Sequence, residues 1–296
     1  MINKQRSEVS VIGTGAMGSA LVEILAASGA VVTAWNRTKE KAEAISGPRV
    51  RIAESVAEAL VSSPLTIVAV SDQAVSRTIV EEARADLNRK VVASTSFVTP
   101  DQARTYDAVV SAAGGHYMDL AIAAYPNEVR SGAGLFFVSG DRETYEAHRE
   151  RFERIGRATY VDDTPAAAYI SEMAVVLAYL PMAVGLLQGL RICKHHDLPL
   201  EWFKETVFEL YPYHIRSLLE RVTERVNPST TDVEASVDVW AKGAEEYVTY
   251  LREMGLDAGM YEALHRLFAT VSEAGHGDAD WTCIAEHTTT RNAREG

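Results

Sequence analysis

The segment Val9-Ser10-Val11-Ile12-Gly13-Thr14-Gly15-Ala16-Met17-Gly18 sets a β-rich run directly ahead of a G-x-G-x-x-G pattern. Few short patterns narrow the fold as far. Gly13 allows a tight turn, Gly15 lets the backbone approach a pyrophosphate, and Gly18 lets the following helix pack on the sheet. The start of that helix offers unpaired N–H groups and the positive end of its dipole to phosphate. The loop from Gly13 through Thr14, Gly15, Ala16 and Met17 to Gly18 is therefore the expected dinucleotide site.

The rest of the first half fits this start. Candidate strands lie at Val9–Ile12, Val31–Trp35, Leu65–Val70, Lys90–Ser94, His116–Asp119, Leu135–Ser139 and Ala158–Val161. Between them run helical patterns near Gly15–Ser28, Lys39–Ile45, Ser55–Leu60, Ala74–Glu82, Pro100–Ala113 and Arg142–Ile155. Alternating strands and helices with short connections imply a doubly wound, mostly parallel sheet with helices on both faces. From Thr164 the strand signals stop. Thr164-Pro165 reads as an N-cap followed by proline at the first helical position, opening a pattern that runs to about His196. Further helices are expected near Leu200–Leu210, His214–Val226, Ser229–Met254 and Ala258–Ala274, with a short one after Asp278. The expected organisation is an α/β nucleotide-binding domain over 1–163, then a long interdomain helix and an all-α domain over 164–296.

Composition removes several function classes. The chain has 296 residues, 47% of them hydrophobic, which suits two cores rather than one or a disordered chain. A net charge of -12 argues against nucleic-acid binding. No apolar signal segment precedes the Gly-rich turn, and two cysteines, Cys193 and Cys283, make no disulfide framework, so a reducing, cytoplasmic setting is the expectation. No cluster of His, Cys, Asp and Glu has metal-ligand spacing, so no metal is expected. Met173–Leu190 is 18 residues without a formal charge, long enough to raise a membrane span. It contains Pro181, Gly185, Gln188 and Gly189 and follows a soluble nucleotide domain, so burial by protein rather than lipid is the better reading.

The end of the second strand selects the cofactor. NAD sites usually place an acid there for the ribose 2′-hydroxyl. Here the chain reads Trp35-Asn36-Arg37-Thr38-Lys39-Glu40-Lys41. Arg37 suits a 2′-phosphate, with Asn36 and Thr38 beside it and Lys41 one turn later as a second cation. NADPH is the expected cofactor. The loops Val70-Ser71-Asp72 and Ser94-Thr95-Ser96-Phe97 follow the next two buried strands and should lie at the same sheet edge, the second near the nicotinamide.

Four segments together resemble NADPH-dependent imine reductases and reductive aminases, relatives of the β-hydroxyacid dehydrogenases. They are the fingerprint, Trp-Asn-Arg-Thr, the stretch from Gly114 through Asp119, Ala121 and Ile122 to Pro126, and the tail Ala274-Gly275-His276-Gly277-Asp278-Ala279-Asp280-Trp281. The resemblance implies a Rossmann domain, an interdomain helix and a helical domain like that of 6-phosphogluconate dehydrogenase. It also implies an interlocked homodimer, and imine or ketone-plus-amine substrates held between one chain's Rossmann domain and its partner's helical domain. By position it points to Phe97, Ala121, Ile122, Tyr179, Tyr211 and Trp240 as pocket residues. One departure stands out: the family often carries Asn-Leu-Thr-Ser-Gly-Thr-Pro after the fifth strand, where this chain has the longer Ala93-Ser94-Thr95-Ser96-Phe97-Val98-Thr99-Pro100.

The helix after Thr164 separates reaction types. β-Hydroxyacid dehydrogenases carry a catalytic lysine there, and this chain has no Lys or His from Thr164 to Leu190. Its ionisable groups are Tyr169, Glu172 and Tyr179, spaced to share a helix face. The resemblance sets Glu172 where the family usually has Asp or Tyr. Either Glu172 or Tyr169 can protonate an imine nitrogen or stabilise an iminium. The alternatives are a hydroxyacid dehydrogenase, a non-catalytic NADPH-binding protein and a binding scaffold built on the helical dimer.

Overall fold

A computed structural model describes residues 6–224 and 233–287. The chain forms two compact units, Met1–Ala183 and Val184–Gly296.

The first unit is built on eight strands: β1 (Val9–Ile12), β2 (Val32–Trp35), β3 (Val50–Ile52), β4 (Leu65–Val68), β5 (Val91–Ser94), β6 (His116–Ile122), β7 (Leu135–Gly140) and β8 (Arg157–Tyr160). They form one sheet in the order β3-β2-β1-β4-β5-β6-β7-β8. Every neighbouring pair is parallel except β6 and β7. The central strands β1, β4 and β5 are buried on both faces because their residues alternate between two cores. Val11, Ile67, Ala93 and Met118 enter one, while their neighbours Ile12, Val68, Val92 and Tyr117 enter the other. The covering helices are α1 (Ala16–Ala27), α2 (Lys39–Glu43), α3 (Val56–Ser62), α4 (Gln73–Glu82), α5 (Pro100–Ala112), α6 (Pro126–Arg130) and α7 (Arg142–Glu153).

Several boundaries differ from expectation. The edge strand β3 has no counterpart in the sequence reading; it is three residues long, half-buried and carries Arg51, so it shows no run of apolar residues. The short helix α6 also escaped that reading, although Pro126 opens it and Glu128 accepts from the Tyr125 N–H. Strand β6 runs three residues past Asp119, because β7 pairs antiparallel with it through Ile122↔Phe136.

The long helix α8 (Ala167–His195) carries Pro181 inside it. It begins two residues later than Pro165, because buried Ala166 adopts a left-handed backbone with φ 75°. The second unit continues with α9 (Leu200–Glu224), α10 (Val237–Glu253), α11 (Gly259–Val271) and α12 (Ile284–His287). Two expected helices, Leu200–Leu210 and His214–Val226, are one: Pro212 lies inside α9 without ending it. The helix expected from Ser229 starts instead at Val237, capped by Ser236; residues 229–232 lie outside the described residues. Gly189 makes close packing possible, since a Cβ there would lie 2.7 Å from the Phe203 ring. Val237, Phe268, Val271 and Cys283 form one small core, and Val248, Leu251 and Ala258 another. Arg221 joins α9 to the chain after α11 through buried Asp280, at 2.7 Å.

Candidate active site

The sheet order reverses direction between β1 and β4, which opens a crevice at the carboxyl ends of the strands. The Gly-rich loop sits there. Gly13 has φ 97°, and a Cβ on it would lie 2.5 Å from the Ala69 carbonyl oxygen. At Gly18 a Cβ would lie 1.8 Å from the carbonyl oxygen of Gly13, so only glycine lets α1 start this close to β1. Gly15 is different: a Cβ there meets nothing within 4 Å. Gly15 and Ala16 are exposed, and no side chain caps the first turn of α1. Thr14 Oγ1 is buried without a hydrogen-bond partner. Free N–H groups, an orphaned hydroxyl and open space over Gly15 fit a pyrophosphate. Met17 turns inward and packs against the sheet core.

At the end of β2, Asn36 works within the protein. Its Oδ1 accepts from the Thr14 N–H at 3.0 Å, and its Nδ2 donates to the Thr38 carbonyl at 2.9 Å. It holds the two phosphate-facing loops together. Arg37, Thr38 and Lys41 are exposed, and the Thr38 hydroxyl makes no capping bond to α2. Among the described residues Arg37 and Lys41 have no carboxylate partner, whereas Lys39 is paired with Glu54 at 2.7 Å. Two unneutralised cations beside a free hydroxyl fit a 2′-phosphate.

The loop after β4 is committed to local structure. Asp72 caps α4 through the N–H groups of Ala74 and Val75, at 2.8 and 3.2 Å. Ser71 is exposed, and half-buried Val70 offers its carbonyl to Ser96 Oγ at 2.7 Å. Ser94 and Ser96 are buried, and Thr95 bonds the Val68 carbonyl through its N–H, so this turn is tied firmly to β4.

Beyond that turn opens a cleft of about 440 Å³. Ser94, Thr95, Ser96 and Phe97 line one side; Ala121 and Ile122, beyond the end of β5, line another; Tyr169 and Glu172 on α8 face them. Exposed Phe97 meets the Tyr169 ring edge-on, with centroids 4.3 Å apart. Partial burial raises the Glu172 carboxyl above its ordinary range. Burial also raises the Tyr169 phenol, and the Glu172 charge adds to it. In both groups the shift is toward the protonated form. The lining also includes Asp119, Leu120, Met173, Val176 and Leu177, which the sequence reading did not name as pocket residues. The three on α8 were within reach of it: Tyr169, Glu172, Met173, Val176 and Leu177 follow the i, i+3, i+4, i+7, i+8 stripe of one helix face. Tyr179 lies past that stripe, exposed and outside the cleft lining.

Comparison with known proteins bears on the family and the fold. The family model described as the NAD binding domain of 6-phosphogluconate dehydrogenase matches residues 8–164. A second, the C-terminal domain of NADPH-dependent reductive aminase-like proteins, matches residues 162–290. The chain belongs to the NADPH-dependent imine reductase and reductive aminase family. The chain is 20% identical over 283 residues to an NADPH-dependent reductive aminase of Aspergillus oryzae, covering 94% of this chain and 96% of that protein. An imine reductase from Myxococcus stipitatus, solved with NADP+, superposes with a TM-score of 0.86 at 25% identity, over 95% of this chain and 100% of the other. A reductive aminase from Aspergillus terreus, solved with NADPH4, cyclohexanone and allyl amine, shares the fold with a TM-score of 0.84 at 22% identity, over 96% and 100%.

Within this imine reductase family member, the two aromatic candidates of the helical unit differ in setting. Trp240 packs beside Phe268 and Trp281, at ring distances of 6.3 and 5.7 Å, so much of its surface serves that unit's own core. Tyr211 is part-exposed on α9. The glycines of the nucleotide loop separate folding from binding. Gly15→Ala should leave thermal stability within about 1 kcal/mol, yet weaken NADPH binding about tenfold or more by standing where phosphate approaches. Gly18→Ala should lower stability and binding together. Fluorescence titration with NADPH beside thermal unfolding checks both, and unchanged affinity in Gly15→Ala would remove the phosphate from this loop.

Proposed function

We propose that this protein uses NADPH to reduce C=N bonds, taking imines or iminium ions, including those formed from a ketone and an amine. The observation that carries the reading is the character of the cleft lining: two carboxyl groups, Asp119 and Glu172, one phenol, small hydroxyls and apolar walls, with no Lys, Arg or His among them. A substrate that gains positive charge at nitrogen suits such a site. A hydroxyacid substrate would bring a carboxylate to a cleft with no cation to meet it. We take 1–163 as the nucleotide domain and 164–296 as the helical substrate and dimerisation region.

Bound NADPH would supply the hydride. The loop Gly13–Gly18 would hold the pyrophosphate on the N–H groups of α1, Arg37, Thr38 and Lys41 would hold the 2′-phosphate, and the turn Ser94–Ser96 would lie toward the nicotinamide. Glu172, raised by burial, either donates a proton to the imine nitrogen or, as carboxylate, stabilises an iminium. Tyr169 is the second proton donor in reach of the same space. Phe97, Leu120, Ile122, Met173 and Val176 exclude water from the reacting carbon.

A second copy of the chain completes the assembly in this reading. Val175, Leu177, Leu180, Val184 and Leu187 are exposed along α8. That helix is long and apolar enough to cross a membrane by length and composition. Its cover is instead a partner protomer, which would also bring Tyr211 and Trp240 of its helical domain toward the cleft. Sedimentation in detergent-free buffer should give a dimer; a monodisperse monomer, or partition into vesicles, would count against it.

Two further measurements test the chemistry. NADPH oxidation is expected with five- to seven-membered cyclic imines and not NADP+ reduction with 3-hydroxy acids; the reverse would assign a hydroxyacid dehydrogenase. In the same assay Glu172→Gln and Tyr169→Phe should lose turnover unequally, the larger loss reaching about 10²-fold. If the acid is Glu172, activity falls as pH rises through its raised pKa, and Glu172→Gln abolishes that limb. Unchanged turnover in both variants would remove these residues from the reaction. Arg37→Ala should raise the Michaelis constant for NADPH about tenfold and leave that for NADH nearly unaltered; equal effects would deny the 2′-phosphate contact.

A further inference from the structure

The helix that carries Tyr169 and Glu172 does not hold its own start. The first N–H groups of a helix need acceptors from elsewhere. Here they come from the sheet beneath. The Ala168 N–H donates to Ser139 Oγ at 2.9 Å, both buried. The N–H of Ala166, the left-handed residue before the helix, donates to Oδ2 of Asp119. Asp119 and Ser139 stand directly opposite each other on β6 and β7. The other oxygen of Asp119 accepts from the Tyr117 hydroxyl. Asp119 is buried yet lines the cleft, and each of its oxygens has a partner within the protein.

We propose that Asp119 and Ser139 form a cross-strand clamp that fixes the first turn of α8, and thereby the height and direction of Tyr169 and Glu172 over the cleft. They are positioning residues: one is three and the other one residue from Tyr169 through the backbone groups they hold, at Ala166 and Ala168. Asp119 has a serine opposite it on both neighbouring strands, Ser94 on β5 and Ser139 on β7, and it is Ser139 that reaches the Ala168 N–H. Tyr117, whose ring lies 4.7 Å from that of Tyr106, orients the carboxylate from below. The catalytic consequence rests on the C=N reduction reading; the clamp itself does not.

The test separates position from charge. Asp119→Asn keeps the clamp, because its amide oxygen can accept from Ala166 while its NH2 donates to the Tyr117 oxygen. Asp119→Ala and Ser139→Ala each remove one arm. Amide hydrogen exchange across residues 166–172 should quicken about fivefold to tenfold in both alanine variants and stay at the wild-type rate in Asp119→Asn. With an imine that the wild type reduces, kcat should fall about tenfold or more in Asp119→Ala and remain within about threefold in Asp119→Asn. The Kd for NADPH and the pH midpoint of kcat/KM should hold throughout. If Asp119→Ala does not fold, Ser139→Ala carries the same comparison. Wild-type exchange rates in the alanine variants would overturn the clamp. A loss in Asp119→Asn equal to that in Asp119→Ala, or a vanished pH limb, would make Asp119 a proton donor instead. Absence of wild-type turnover with any imine would defeat the functional reading and leave the exchange result to decide the clamp.

Discussion

The parallel register of β1, β4, β5 and β6 is the constraint on which the rest depends. It brings the carboxyl ends of all four strands to one edge, so every loop leaving that edge can contribute to one site. The phosphate loop leaves β1, the 2′-phosphate candidates leave β2, and the cleft turn leaves β5. The register also sets a difference in length. Ser94, the last residue of β5, pairs with Asp119, and β6 continues for three residues more. Those residues, Leu120–Ile122, stay paired with β7 but reach past the end of β5 and become a cleft wall. A strand that ended level with its neighbour would leave no wall there.

Charge is then distributed against the trend of the whole molecule. The chain is acidic, with a net charge of -12, yet the end of β2 presents Arg37 and Lys41, which have no carboxylate partner among the described residues. Cations at the start of a helix oppose its dipole, so their cost is consistent with an anionic ligand there. The cleft has the opposite character. One of its two acids, Glu172, sits among apolar groups that hinder its ionisation. One end of the crevice thus suits a phosphate dianion and the other a nitrogen acquiring positive charge.

How much of this was legible in the sequence follows from the range of each interaction. The Gly-rich loop, Arg37 and the stripe of Tyr169 and Glu172 depend on spacing within one element, and spacing is what a sequence displays. Asn36 was legible as a residue at the right place but not in its work, since its bond to Thr14 joins two loops 22 positions apart. Strand β3 was hidden because its half-buried edge position needs no apolar run. Pro212 suggested a break that α9 does not make, the helix running through it. Most hidden was Asp119. Its value depends on which residue of β7 stands opposite, and that pairing follows from an antiparallel step in an otherwise parallel sheet.

Along its length α8 has two different settings. At its start the helix is gripped by polar side chains of the sheet, at Ala166 and Ala168, where an error of an ångström would displace Tyr169 and Glu172. Farther along, from Val175 to Leu187, its exposed surface is apolar and carries no formal charge. Hydrogen bonds are directional and fix a helix in rotation and height, whereas apolar contact is non-directional and tolerates sliding. A helix that must aim two side chains and also offer a broad surface to a partner needs the first kind of contact at the reacting end and the second along its length. The order of these two settings along α8 therefore matches the two tasks proposed for it, and reversing it would leave Tyr169 and Glu172 on the part of the helix free to shift.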